Sequence, residues 1–346
     1  MSALRIGIAG LGQMGGYHLR TWEGIEGAHV VAVADPDVER VAQAVGGRPI
    51  AVHADHRSMF ASERLDAVCV CAPSEHHASV AIDAIDAGLH VLVEKPIAMT
   101  LEDGLRVTAR AGLAGVKLMV GHVERFNPAV SKLTELIAAG CIGRVFRIHA
   151  TRVGPLPTRI RDAGVAIDLA THDLDLMQIV CGRDISHVYA QGASFAHPSQ
   201  EDLISCLLRF GDDGPYGLLD VNWLTPEKRR EMTVIGEGGM LRAAYLTQDV
   251  WLTEPVNSSG GWPELDRLQG GAEGREIRLA LAKVEPLKAE LEAFARCVRD
   301  DEPAPVSGFD GCRALAAALA VRSSASCGRP VTLLDMPAPG PTALVA

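Results

Sequence analysis

Gly10-Leu11-Gly12-Gln13-Met14-Gly15 is a G-x-G-x-x-G run placed directly after the apolar stretch Leu4–Ala9. Its first glycine allows a tight turn and its second lets the backbone approach a pyrophosphate. The third permits close helix–strand packing, with the helix N-terminus facing the phosphate charge. Asp35 lies 20 residues beyond Gly15, at the end of a second apolar run. A carboxylate there accepts hydrogen bonds from the adenosine ribose hydroxyls and repels a 2′-phosphate. No Arg or Lys directly adjoins it, which favours NAD over NADP. The plainer alternative is an ordinary βα turn with Asp35 as a solvated strand end. Turn, strand context and acid together favour the cofactor.

Glu94-Lys95-Pro96 follows the apolar run His90–Val93. In an open α/β sheet the carboxyl ends of strands line the ligand crevice, where a Lys can donate to a substrate hydroxyl or stabilise a developing alkoxide. A surface Lys paired with Glu94 is the alternative. Asp168-Leu-Ala-Thr-His172 places an acid and an imidazole four residues apart, on one face if the stretch is helical. A neutral His there can take the hydroxyl proton as hydride leaves for the nicotinamide, and the Asp can orient it. Two other readings stay open: Asp168 as a helix cap, and His172, Asp173 and Asp175 as a metal cluster. Metal is the weaker idea, because a Lys/His pair moves the proton without one.

These residues need a frame to position them. Over the first 120 residues, strand-like runs at Leu4–Ala9, Val30–Ala34, Ala67–Cys71, His90–Val93 and Lys117–Val120 alternate with helical spacing near 14–22, 38–45, 77–87 and 101–114. That rhythm predicts a doubly wound parallel sheet. Beyond residue 121 a helix at 129–139 precedes longer β-like segments at 144–152, 187–193, 204–210, 217–223 and 231–235, a mostly antiparallel pattern. The stretch 254–274 reads as an exposed excursion, two helices follow at 287–299 and 311–326, and the Pro-rich end reads as loose. The division expected is 1–121, 122–336 and a tail at 337–346.

Lys and Arg number 33 against 43 Asp and Glu, a net charge of −10, so nothing favours a nucleic-acid partner. No apolar run is long enough to span a bilayer, and the first residues lack a secretory pattern. The eight cysteines form no C-x-x-C pair. Strand core explains Cys69 and Cys71 better than a metal, core packing explains Cys297, Cys312 and Cys327, and a reduced, cytoplasmic protein with no metal is expected.

The set Gly10-x-Gly12-x-x-Gly15, Asp35, Cys71-Ala72-Pro73-x-x-x-His77, Glu94-Lys95-Pro96 and Asp168-x-x-x-His172 resembles the Gfo/Idh/MocA oxidoreductase family over nearly the whole chain. The resemblance implies an N-terminal Rossmann domain and a C-terminal α/β domain on a large open sheet that mediates oligomerisation, as a homodimer or homotetramer. The family's catalytic Lys falls on Lys95 and its Asp/His pair on Asp168 and His172. Contacts to NAD are implied for Gly10, Leu11, Gly12, Gln13, Met14, Gly15, Asp35, Ala72, Pro73, His77, Glu94, Lys95, His122 and Arg125.

The runs Gly121–Pro128, Arg152–Ile160, Thr171–Leu176 and Asn222–Pro226 look like the subgroup that oxidises the C3 hydroxyl of UDP-N-acetylglucosamine. A PLP aminotransferase then installs an amine, and related enzymes serve antibiotic pathways. Arg152, Arg159 and Arg161 are candidate diphosphate ligands. A solvated basic loop is an equal alternative. The substrate contacts expected are Lys95, Arg152, Arg159, Arg161, Asp168 and His172. Two other functions compete: a dehydrogenase of a free cyclitol, sugar or sugar phosphate, and a non-catalytic NAD-binding sensor.

Overall fold

A computed structural model of the chain describes residues 3–157, 163–255 and 274–333. Contacts group them into two compact units: residues up to Phe126 together with Val284–Ala317, and Asn127–Lys283 together with the chain from Ala318 onward.

The first unit alternates β1 (Leu4–Ala9), α1 (Gln13–Trp22), β2 (Ala28–Ala34), α2 (Val38–Val45), β3 (Ala51–His53), α3 (His56–Ser62), β4 (Ala67–Val70), α4 (His77–Asp86), β5 (His90–Glu94), α5 (Leu101–Ala114) and β6 (Leu118–Gly121). The strands pair in the order β3-β2-β1-β4-β5-β6, every described pair parallel. Ile6, Ile8, Val33, Val68, Cys69, Leu92 and Met119 are fully buried. Continuous apolar runs suit strands covered on both faces. The strand order reverses between β1 and β4, and at such a switch point the carboxyl ends of the strands open a ligand crevice. Local chemistry sets the helix ends. Asp37 accepts from Arg40 N at the start of α2 and Thr100 accepts from Asp103 N at the start of α5, while Gly46 and Gly115 close those helices with positive φ.

The second unit holds α6 (Pro128–Ala138), β7 (Val145–Pro155), α7 (Thr171–Cys181), β8 (Ile185–Ala193), β9 (Leu203–Phe210), β10 (Tyr216–Asn222), β11 (Leu224–Gly236), β12 (Gly239–Ala244), β13 (Asp249–Glu254) and β14 (Arg275–Leu279). Then α8 (Pro286–Arg299) belongs to the first unit, α9 (Gly308–Cys327) contributes to both, and β15 (Val331–Thr332) ends the described chain. Among the described residues the sheet of the second unit has nine strands, ordered β14-β13-β12-β11-β7-β10-β9-β8-β15, antiparallel except for β7 with β10.

Several expectations change. The sequence division at residue 121 leaves out the return of 284–317 to the first unit, where α8 covers α1 and the 3₁₀ turn Val123–Phe126 with buried Leu287, Leu291 and Phe294. The short β3 and α3 and the strands β12 to β14 escape the hydrophobic pattern, because polar and half-buried residues fill them. Cys327 is exposed and not part of a core, since it ends α9. Most of the 254–274 excursion and the tail at 337–346 lie outside the described residues.

Candidate functional site

The glycine turn after β1 has the shape a dinucleotide needs. Gly10 has φ +91°, and a Cβ there would stand 2.5 Å from Ala72 N. At Gly15 a Cβ would stand 2.0 Å from the Gly10 carbonyl oxygen. At Gly12 it would meet nothing within 4 Å. Two glycines thus close the turn on the chain after β4, and the middle one leaves open space at the start of α1, where a pyrophosphate would sit on the N-terminal amides. Gln13 and Met14 form the first turn of that helix.

Asp35 is 7 % exposed, and its carboxylate is already engaged. Oδ2 accepts from Leu11 N at 2.7 Å, while Oδ1 accepts from Asp37 N at 2.9 Å and from the Arg40 guanidinium at 2.7 Å. The acid therefore ties the glycine turn to the end of β2. Arg40, five residues along on α2, brings to Asp35 the cation that no sequence neighbour supplied.

Ala72, Pro73, His77, Glu94 and Lys95 gather at the ends of β4 and β5. His77 is 2 % exposed, with Nε2 2.8 Å from the Ala72 carbonyl and Nδ1 2.7 Å from the Pro96 carbonyl. Burial pulls its pKa down against both carbonyls. A neutral imidazole has one N–H, so it donates to one carbonyl at a time. Glu94 is buried and Lys95 half-buried. The Glu94 carboxylate meets His18 of α1, with Nε2 2.7 Å from Oε1. Burial alone would lower the His18 pKa. The Cys71 and Cys69 thiols beside it, and the hydrogen bond with Glu94, outweigh burial and hold it well above the ordinary histidine range. Burial also pushes the Cys71 thiol up to about 11.

His122 is buried after β6. Arg125 stands 3.4 Å from Asp310, which also accepts from Ser307 and Arg313. Sequence reasoning missed His18 and Glu290, a buried acid on α8. His18 carries a signal in its spacing from Gly15, one helical turn, whereas Glu290 carries none.

In the second unit, Asp168 belongs to a π-helical turn, Ala166–Ala170, that runs directly into α7, and His172 is the second residue of α7. Both are half-buried. One helical path through both residues keeps a spacing of four on one face, and π turns recur at functional sites. The next acid along, Asp173, is fully buried and faces Arg152 of β7, whose Nε stands 2.5 Å from Oδ2. The Arg152 guanidinium also lies 5.9 Å from the Tyr245 ring centroid. Arg152 was expected among the diphosphate ligands. It is 2 % exposed and ion-paired inside the unit, because an arginine on the covered face of β7 needs a buried anion. Arg159 and Arg161 lie outside the described residues. Among the described residues no helix is long and apolar enough to cross a membrane.

A model of the oxidoreductase family with an NAD-binding Rossmann fold matches residues 4–122, and one of the GFO/IDH/MocA C-terminal domain matches residues 130–242. The UDP-N-acetylglucosamine 3-dehydrogenase of Acidithiobacillus ferrooxidans is 27 % identical over 322 residues, covering 93 % of this chain and 97 % of that one. A solved structure of that enzyme superimposes with a TM-score of 0.83 over 94 % of this chain and 99 % of its own, at 26 % identity. Inositol 2-dehydrogenase 4 of Saccharopolyspora erythraea is 28 % identical over 347 residues, 96 % of this chain and 97 % of that one. The WlbA dehydrogenase of Bordetella pertussis, solved with NADH and UDP-GlcNAcA, has a TM-score of 0.80 at 25 % identity, over 96 % of this chain and 100 % of its own. With its parallel nucleotide sheet, its open glycine turn and both halves matched in order, this chain belongs to the Gfo/Idh/MocA family and is an NAD-dependent dehydrogenase.

Proposed function

We propose that this protein oxidises a ring hydroxyl of a sugar or cyclitol with NAD⁺, and that its substrate is a UDP-hexose oxidised at C3, of the UDP-N-acetylglucosamine or UDP-glucose type. The observation that carries the reading is the presence of Lys95, Asp168 and His172 in a chain that is similar to a UDP-N-acetylglucosamine 3-dehydrogenase over 93 % of its length. WlbA, solved with a UDP-sugar, supports the same substrate class. Bound NAD⁺ supplies the hydride acceptor. Lys95 donates a hydrogen bond to the reacting oxygen and stabilises its developing charge. His172 accepts the hydroxyl proton as the neutral base, and Asp168 holds its imidazole in orientation. The 3-keto product is the substrate a PLP aminotransferase needs, so a 3-amino sugar is the proposed destination.

The inositol dehydrogenase relative is as similar as the UDP-sugar one, and with Arg152 buried its charge argues for neither. A free cyclitol is therefore the second reading. Incubation with NAD⁺ and hydroxylamine, in separate tubes with UDP-N-acetylglucosamine, UDP-glucose, glucose 6-phosphate and myo-inositol, decides between them by mass spectrometry. An oxime on a UDP-sugar supports the first reading, and one on inositol alone replaces it with the second. Replacing Lys95 with Met should lower turnover of the accepted substrate by about 10²–10⁴-fold.

Assembly is a further part of the proposal. Tyr189, Leu207 and Leu218 line up across β8, β9 and β10 on the less covered face of the large sheet, with Tyr216 on the same side. We propose this face as the contact between copies, and light scattering after size exclusion should give a dimer or tetramer that Leu207→Glu dissociates.

A further inference from the structure

Three acid–base groups from distant parts of the chain meet inside the first unit. His18 of α1 and Glu290 of α8 are each 0 % exposed, and Glu94 at the end of β5 is 7 % exposed. His18 Nε2 and Glu94 Oε1 stand 2.7 Å apart. Among the described residues, neither carboxyl oxygen of Glu290 has a hydrogen-bond partner. Burial first, and then the charge of Glu94, raise the Glu290 carboxyl well above the ordinary range, so it stays protonated; His18 acts the other way, and Glu285 on the same helix adds to the rise.

Cys71 joins the group, with one ligand-type atom each from His18, Cys71 and Glu94 lying within 4.8 Å of one another. Two ligands of one tetrahedral zinc ion stand about 3.3 Å apart, given bonds near 2.0 Å. The 2.7 Å contact is shorter and is that of a shared proton. A buried carboxyl without a partner is rare and calls for a reason. Here an uncharged acid beside a carboxylate–imidazole pair avoids a second buried negative charge.

Glu94 immediately precedes Lys95, and its carboxylate packs close against Gly121 of β6, where a Cβ would stand 3.0 Å from Oε2. On the far side of Lys95, the Pro96 carbonyl meets His77. We infer that His18 and Glu290 are positioning residues for Lys95: His18 anchors the Glu94 carboxylate, Glu290 packs beside that pair as its uncharged neighbour, and together they fix the strand end from which Lys95 departs. The consequence for catalysis rests on the role proposed for Lys95, but the positioning itself does not.

The test reads Lys95 directly. Reductive methylation with ¹³C-formaldehyde labels the lysines of the full chain, and the resonance lost in Lys95→Met belongs to Lys95. His18→Gln and Glu94→Gln should each move the Lys95 titration midpoint by about half a pH unit or more, in protein whose circular dichroism and urea midpoint show it folded. Glu290→Gln, which keeps shape and neutrality, should leave that midpoint in place, whereas Glu290→Ala should move it. An unmoved midpoint in both the His18 and Glu94 variants, in folded protein, overturns the inference. So does Glu290→Gln behaving like Glu290→Ala, or zinc recovered in stoichiometric amount with the protein. If Lys95→Met retained turnover, the proposed function would fail while these titrations still stood.

Discussion

The end of β5 and the turn entering α7 each present a half-buried titratable side chain, and they hold it by different means. At Lys95 the anchors are its chain neighbours, Glu94 bonded to His18 and Pro96 bonded to His77, with partners drawn from helices far along the sequence. At His172 the anchor is the next residue, Asp173, clamped to Arg152 across from β7. The first arrangement uses an imidazole and a backbone carbonyl and carries little net charge. The second uses a fully buried ion pair, which breaks at high cost when one partner is lost. A strand end needs its backbone pinned, whereas a helix is rigid already and needs only one face fastened.

The largest effect should come at the glycine turn that serves the first region. Gly15→Val places a side chain 2.0 Å from the Gly10 carbonyl at its first carbon, and NADH binding should be abolished in a fluorescence titration. Next comes the ion pair of the second region. Arg152→Leu should destabilise the protein by about 3–5 kcal/mol, read from urea unfolding, and Arg152→Leu with Asp173→Leu should recover most of that loss. Recovery would confirm that a buried charge, and not packing, is what the single change leaves behind.

A smaller change is expected from Asp35→Ser. It removes the acid that engages Arg40 and frees a guanidinium for a 2′-phosphate, so the ratio of NADPH to NADH affinity should rise by about tenfold, or about 1.4 kcal/mol. The smallest effect concerns pH. The folded-state pKa of Glu290 is raised, so its favourable contribution is complete at acid pH and declines as pH rises toward that folded value. Glu290→Gln should therefore lose less stability than the parent between pH 5 and pH 9, read as the difference in urea midpoints. Equal losses would mean that Glu290 is ionised in the folded chain as in the unfolded one over that range, and that burial does not raise its pKa.

Much of the first unit was legible because its signals are local. The apolar runs of β1, β4 and β5 lie within a residue of their predicted ends, and the limits of α2 and α5 are those the spacing predicts. Gly10, Gly12 and Gly15 each read correctly as turn, open approach and close packing, since a glycine's role follows from its own backbone. The strands β12 to β14 were not legible, because each half-buried strand owes its place to neighbours in the sheet rather than to its own pattern. Arg152 was read as a candidate diphosphate ligand for the same reason. Charge is visible in a sequence, but the partner that neutralises Arg152 lies 21 residues away on another element.

By itself the sequence determined the alternating βα frame, the dinucleotide turn and the residue types fit for hydride and proton transfer, all set by spacing along a few consecutive residues. Only the tertiary structure decided which of those residues are engaged. Arg40 reaches Asp35 and Arg152 turns inward to Asp173. Glu290 comes from the far end of the chain to join His18 and Glu94. Those outcomes depend on burial, and the cost of burying a charge or an unpaired carboxyl is set by whatever the fold brings within hydrogen-bonding reach.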